Sequence, residues 1–113
     1  KLSIPEIAQE LASLAEKARN EALLPDDVQA GTITMSNFGM GGALIGVPII
    51  RFPEVAIIGV GKIERRLCVM DDDTTAIRHI VHLSLTFDHR AIDGMYGCEY
   101  LAAVKSHLEN FKG

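Results

Sequence analysis

Val55-Ala56-Ile57-Ile58-Gly59-Val60 contains no polar side chain, and no other stretch constrains the fold of this chain as strongly. A strand with one solvated face alternates apolar and polar residues. A short continuous apolar run reads instead as a strand covered on both faces, which makes this the central strand of a sheet. Helical periodicities flank it at either end of the chain. Ile4, Ile7, Ala8, Leu11, Leu14, Ala15 and Ala18 recur at helical spacing behind Ser3-Ile4-Pro5-Glu6, a capping-box sequence, and predict an amphipathic helix ending near Ala22. Gly97, Leu101, Val104, Leu108 and Phe111 form the stripe of a second helix.

Between these elements the chain reads as strands and turns. Pro25-Asp26-Asp27 begins a polar turn, and Thr32-Ile33-Thr34-Met35 alternates as a half-buried strand does. Gly39, Gly41, Gly42 and Gly46 follow in a loop that Pro48 helps to close. Asp71-Asp72-Asp73 is a solvated turn between two strands. From Ile77 onward Val81, Leu83, Leu85 and Phe87 alternate with Arg78, His82, Ser84 and Thr86, which predicts one strand with one buried face. His79 falls on that apolar face, where a structural histidine satisfied by a neighbour is the preferred reading over a catalytic one.

Apolar residues are 48% of the 113 and are spread along the whole length, as in one globular domain. A net charge of −4, with two tyrosines and four phenylalanines, argues against a nucleic-acid surface. No apolar run approaches a membrane span. Cys68 and Cys98 are too few and too isolated for a disulfide framework, which favours a reducing compartment. Lys1 opens directly into a helix signal with no signal or transit peptide, an abrupt start that suggests a missing preceding segment.

Phe87-Asp88-His89-Arg90-Ala91-Ile92-Asp93-Gly94 crowds four ionisable side chains where a strand gives way to a helix, a position at which sites in open sheets commonly lie. A histidine there suits proton transfer. Rival chemistries fit less well. Gly59-Val60-Gly61 imitates the start of a dinucleotide fingerprint, but Glu64 stands where the third glycine belongs. His89 and Asp93 could be two ligands of a metal that would need Asp88 or His82 as a third. Ser36 lies in Thr34-Met35-Ser36-Asn37-Phe38-Gly39, which is not the G-x-S-x-G elbow of an acyl-serine.

DHRAIDG resembles the DHRxxDG motif in the catalytic domain of dihydrolipoamide acyltransferases, the E2 cores of the 2-oxo acid dehydrogenase complexes. TMSNFGMGG resembles the T-x-SN-x-G segment of that family and RFPEVAIIGVGKI its following strand. The opening helix with Leu24-Pro25-Asp26-Asp27 resembles the approach to that segment. The resemblance covers nearly all 113 residues in family order. Chloramphenicol acetyltransferase shares the HxxxDG core, but the Asp-His-Arg start and the SN-x-G segment favour the E2 side.

The resemblance implies an α/β two-layer sandwich with a mixed sheet, chloramphenicol acetyltransferase-like, with residues 1–113 forming the C-terminal half of the catalytic domain. The lipoyl domain and the peripheral subunit-binding domain lie outside this stretch. The implied reaction moves an acyl group between dihydrolipoamide and coenzyme A, with both as substrates and no metal. His89 is then the general base, Ser36 the hydroxyl that stabilises the oxyanion, and Asp93 the third member of the site, supporting it through hydrogen bonds. Asp88 and Arg90 pair structurally, and Asn37 orients the loop. The implied active unit is a homotrimer or a larger core assembly, because in the family the histidine and the serine of one site come from different subunits. The E1 and E3 components would bind through the other domains, with no nucleic-acid or membrane partner. The compartment is bacterial or archaeal cytoplasm or the mitochondrial matrix. The alternative is a shortened, inactive assembly or binding module. For the 113-residue stretch alone the expectation is near inactivity.

Overall fold

The computed structural model describes residues 1–112 and divides into two compact units, residues 1–31 and the chain from Thr32 onward. The first unit is built on α1, Ile4–Arg19. Ser3 is its N-cap. The Glu6 carboxylate accepts from Ser3 N at 2.6 Å and from Ser3 Oγ at 2.7 Å, so the capping box read from the sequence forms. The helix stops before Ala22 because the chain turns into a left-handed residue, Glu21, at φ 54°. Ala22 N then donates to Lys17 O at 2.8 Å and Glu21 N to Ala18 O at 3.2 Å, which closes the last turn as a Schellman motif does. Lys17 Nζ reaches back to Asp27 Oδ1 at 2.9 Å and ties the following 3₁₀ turn, Pro25–Val28, to the helix.

The second unit holds a mixed three-stranded sheet in the order β1-β2-β5. β1 (Thr34–Asn37) lies parallel to β2 (Ala56–Val60), and β5 (Leu83–Phe87) lies antiparallel to β2 on its other side. The apolar run is thus the central strand, and Ala56, Ile57 and Ile58, only 5–6% exposed, form the core. α2 (Gly94–Glu109) packs on β5 as the second layer. The helix lies close against the strand at Gly97, where a Cβ would lie 2.6 Å from the Phe87 ring. Apart from this sheet stands the ribbon of β3 (Glu64–Val69) and β4 (Thr75–Ile80). Its turn is solvated as expected. Asp72 Oδ1 accepts from Thr74 Oγ1 and Thr74 N, and Asp73 takes φ 60°.

Four sequence expectations change here. The alternation from Ile77 to Phe87 is two strands in two sheets, not one. Ile80 pairs with Glu64 of β3, whereas Leu83 pairs with Val60 of β2, and the chain changes partner across Val81 and His82. Both strands keep period two, so the pattern carries no mark of the switch. His79 is consequently exposed on the ribbon, at the edge of an apolar groove with Leu83, Leu101 and Leu108, and is not a core histidine. β1 begins two residues later than the sequence suggested and shields its hydroxyl face. Thr34 and Ser36 are half-buried while Met35 is 70% exposed. The α2 stripe buries Gly97 and half-buries Leu101 and Val104, but Leu108 is exposed, and Phe111 lies exposed beyond the end of the helix.

Candidate active site

The His89 end of the sheet is assembled by hydrogen bonds. Asp88 N donates to Val55 O at 2.8 Å and extends the β2-β5 ladder by one residue. The chain then turns around the Asp88 carbonyl, which accepts from Ala91 N and Ile92 N. The Asp88 carboxylate grips Arg90, taking Nε at 2.9 Å, Nη2 at 2.6 Å and the backbone N–H at 2.9 Å. Those side-chain bonds, with the backbone bond behind them, hold the Asp88 carboxyl at about 2 and push the Arg90 guanidinium up. The structural pairing of Asp88 with Arg90 is therefore present.

Asp93 ends the turn as the N-cap of α2, accepting from Tyr96 N at 2.8 Å. Its carboxylate works on the helix end, which makes it a support of the turn. His89 sits between these two fixed points. It is exposed and leans on the Phe87 ring at 5.5 Å between centroids and 48° between planes. Among the described residues neither ring nitrogen has a hydrogen-bond partner, so both are open to a substrate.

The Ser36 end is assembled by packing. Ser36 lies opposite Gly59, and Gly59 lies opposite Ser84, so the three form one row on one face of the sheet. The Phe38 ring fills the space above Gly59, where a Cβ would come within 2.7 Å of it. The glycine loop folds over this ring. Gly39 N donates to Asn37 Oδ1 at 3.1 Å, which gives Asn37 the loop-orienting contact expected of it. Lys62 N donates to Ala43 O at 2.8 Å, and Gly42 takes φ 87°. Ser36 is half-buried, and its hydroxyl has no hydrogen-bond partner among the described residues.

These two ends are opposite ends of the same sheet. β1 and β2 both run toward Ser36, while β5 runs away from it toward His89. Asp88 follows Ser84 by four residues. At about 3.4 Å per residue and about 4.8 Å between strands, the Cα atoms of Ser36 and Asp88 stand on the order of 15 Å apart. Ser36 and His89 of one chain therefore do not meet, whereas His89 and Asp93 do share a turn. His82 lies at the Ser36 end and Asp88 is committed to Arg90, so neither completes a metal set with His89 and Asp93. Among the described residues no three His, Cys, Asp or Glu side chains group to hold a metal.

Two features escaped the sequence. The Glu54 side chain is only 4% exposed, accepts from Thr34 Oγ1 at 2.5 Å and faces Arg51 at 3.5 Å. His82 Nδ1 is buried with no hydrogen-bond partner among the described residues. Neither has a local pattern, because each is defined by segments that meet only in the fold.

Comparison with known proteins agrees with this architecture. Residues 1–113 match the family described as 2-oxoacid dehydrogenases acyltransferase (catalytic domain). The chain is 43% identical over 117 residues to the dihydrolipoyllysine-residue acetyltransferase component of the pyruvate dehydrogenase complex of Corynebacterium glutamicum, covering 99% of this chain and 17% of that protein. The solved dihydrolipoamide acetyltransferase of Azotobacter vinelandii superposes with a TM-score of 0.92 at 36% identity, over 97% of this chain and 45% of that one. It was solved to investigate a serine, a histidine and an asparagine in the catalytic mechanism, the asparagine four positions after the histidine. The cubic core of the pyruvate dehydrogenase multienzyme complex gives a TM-score of 0.92 at 35% identity, over 97% of this chain and 45% of that one. The chain thus spans under half of these solved structures and a smaller share of the curated relative. With the motifs and the mixed sheet in agreement, the chain belongs to the catalytic-domain family of the 2-oxoacid dehydrogenase acyltransferases.

Proposed function

We propose that this chain carries both halves of an acyl-transfer site, which act together only across two copies, and that it moves an acyl group between dihydrolipoamide and coenzyme A. The observation that carries the reading is the placement of an open imidazole and an open hydroxyl at opposite ends of one sheet. A free imidazole titrates at about 6.5 and a free thiol at about 8.5, so a histidine can take the proton of coenzyme A near neutral pH. His89 is that base. The thiolate attacks the thioester carbonyl of acyl-dihydrolipoamide, and the carbonyl oxygen gains the charge. Ser36 Oγ–H donates to that oxyanion and stabilises the transition state more than the ground state. Collapse breaks the bond to the dihydrolipoamide sulfur, which leaves as a thiolate and recovers the proton from His89.

Asp93 follows His89 by four residues, the spacing of the histidine and asparagine investigated in the Azotobacter enzyme. We assign it the support of His89 through the α2 cap rather than contact with substrate. When the Ser36 end of one copy meets the His89 end of the next, the contact is head-to-tail, and such contacts close into rings. The reading takes the ring as a trimer inside a larger core, with the E1 and E3 components engaging domains beyond this stretch. It places the protein in bacterial or archaeal cytoplasm or in the mitochondrial matrix. No described helix is long and apolar enough to cross a membrane. No step passes through a metal, and chelators are expected to leave the rate unchanged.

Subunit mixing tests the reading in the intact protein. His89→Ala and Ser36→Ala subunits, each nearly inactive alone, are dissociated and reassembled together. Mixed rings contain interfaces that join an intact His89 to an intact Ser36, so transfer from acyl-dihydrolipoamide to coenzyme A should return. Rings that assemble but stay silent reject a site built between copies. Full activity in either single variant rejects the role of that residue and favours the assembly-module alternative.

A further inference from the structure

β5, the strand that leads to His89, also carries the residue that braces the opposite end. Ser84 Oγ donates to Gly46 O at 2.6 Å from a part-buried position, across 38 residues of sequence. The contacts around this bond leave little slack. A Cβ on Gly46 would lie 2.8 Å from the Phe38 ring, and one on Gly59 would lie 2.5 Å from Ser84 Oγ and 2.7 Å from the same ring. The ring is therefore closed in by the Gly46 segment, Gly59 and Ser84. Phe38 comes two residues after Ser36, and its N–H holds the end of β1 to Val60 O at 3.1 Å. Since the Ser36 hydroxyl has no hydrogen-bond partner among the described residues, its direction is set by the β1 backbone and by what fixes that backbone.

We propose that Ser84 is a positioning residue for Ser36. Its hydroxyl holds the Gly46 segment down on the Phe38 ring, the ring is pressed onto Gly59, and β1 is thereby fixed where Ser36 meets the developing oxyanion. The proposal rests on the reading of Ser36 as the oxyanion donor. Ser84 itself touches no substrate. Removing the hydroxyl leaves the Gly46 carbonyl without its donor and frees the loop, so the Ser36 donor loses the alignment on which electrostatic stabilisation depends.

A double-mutant cycle in the intact, assembled protein tests this through kcat and the KM for coenzyme A. Ser84→Ala should lower kcat by about tenfold, the scale of one hydrogen bond, with KM unchanged. In a Ser36→Ala background the same change should cost nothing further, because the donor it positions is gone. Thr86→Ala is the control. Thr86 shares the strand and the face, but its hydroxyl makes no hydrogen bond among the described residues, so its loss should leave kcat unchanged. Should Ser84→Ala fail to assemble, Ser84→Cys keeps the shape with a weak donor and carries the same expectation of non-additivity. An equal loss in both backgrounds, an unchanged kcat in Ser84→Ala, or the same loss in Thr86→Ala overturns the proposal while leaving Ser36 in its role. A Ser36→Ala enzyme of normal kcat removes the reading beneath it.

Discussion

The two ends of the three-stranded sheet solve the same problem, holding one reactive side chain still, with different physics. At the Ser36 end the restraint is steric. A ring, two glycines and one serine hydroxyl occupy a space that would not admit another carbon, and nearby Gly61 shows the tightest case, where a Cβ would fall 1.9 Å from Leu44 O. At the His89 end the restraint is polar. A carboxylate grips a guanidinium and a second carboxylate caps a helix, both at the surface. A close-packed interior resists displacement in every direction, whereas surface hydrogen bonds hold one geometry but exchange with water. His89, the proposed base, thus sits on a turn open to solvent, and Ser36, the proposed oxyanion donor, sits half-buried in the packed end.

Mutations separate the two ends most clearly through activity. His89→Ala in the intact protein should lower acyl transfer by roughly 10² to 10⁴, the range for loss of a general base, with the fold intact by circular dichroism. Ser36→Ala should lower kcat by about 10² with the KM for coenzyme A unchanged, the split expected when an interaction exists only in the transition state. An acyl group trapped on Ser36 in a mass spectrum would break this half of the comparison, since it would make the serine a nucleophile.

Smaller effects fall on stability. Gly61→Ala forces a carbon into Leu44 O and should cost about 1–3 kcal/mol in denaturant unfolding, with the Ser36 end disturbed first. Asp93→Ala should cost about 1 kcal/mol through loss of the α2 cap, while Asp93→Asn, an equally good cap, should cost little. If Asn restores stability but not turnover, the Asp93 carboxylate does more than cap.

The least effect is expected from pH. The folded Asp88 carboxyl is held at about 2, below its unfolded value, so its contribution is fully present above about pH 4 and is lost as pH falls through 2. Arg90→Ala should flatten that acid limb. At the Ser36 end no comparable change with pH is expected from Ser36, Phe38, Gly59 or Ser84, none of which titrates in that range.

Much of this was legible locally. The central strand, the Ser3 cap, the Asp71-Asp72-Asp73 turn and the Asp88-Arg90 pair all depend on residues within a few positions of one another, and each is found. His89, Ser36 and Asp93 could be singled out because their motifs are short and contiguous. The partner switch between Ile80 and Leu83 was not legible, since alternation has the same period on either side of it. Nor was the shielded hydroxyl face of β1, which depends on Glu54 reaching Thr34 across 20 residues. The exposure of His79 follows from the same switch, which puts it on the two-stranded ribbon at the edge of a groove and not in the sheet core.

By itself, then, the sequence determined where the two helices lie, which strand is central, and which short motifs mark the chain as a member of its family. Only the tertiary structure decided that β5 runs against β1 and β2, and so that Ser36 and His89 face away from each other in one chain. Local propensity and motif chemistry act over a few residues and are written in the order of the chain. Strand direction and register are set by which distant surfaces bury one another, and that is settled only when the sheet assembles.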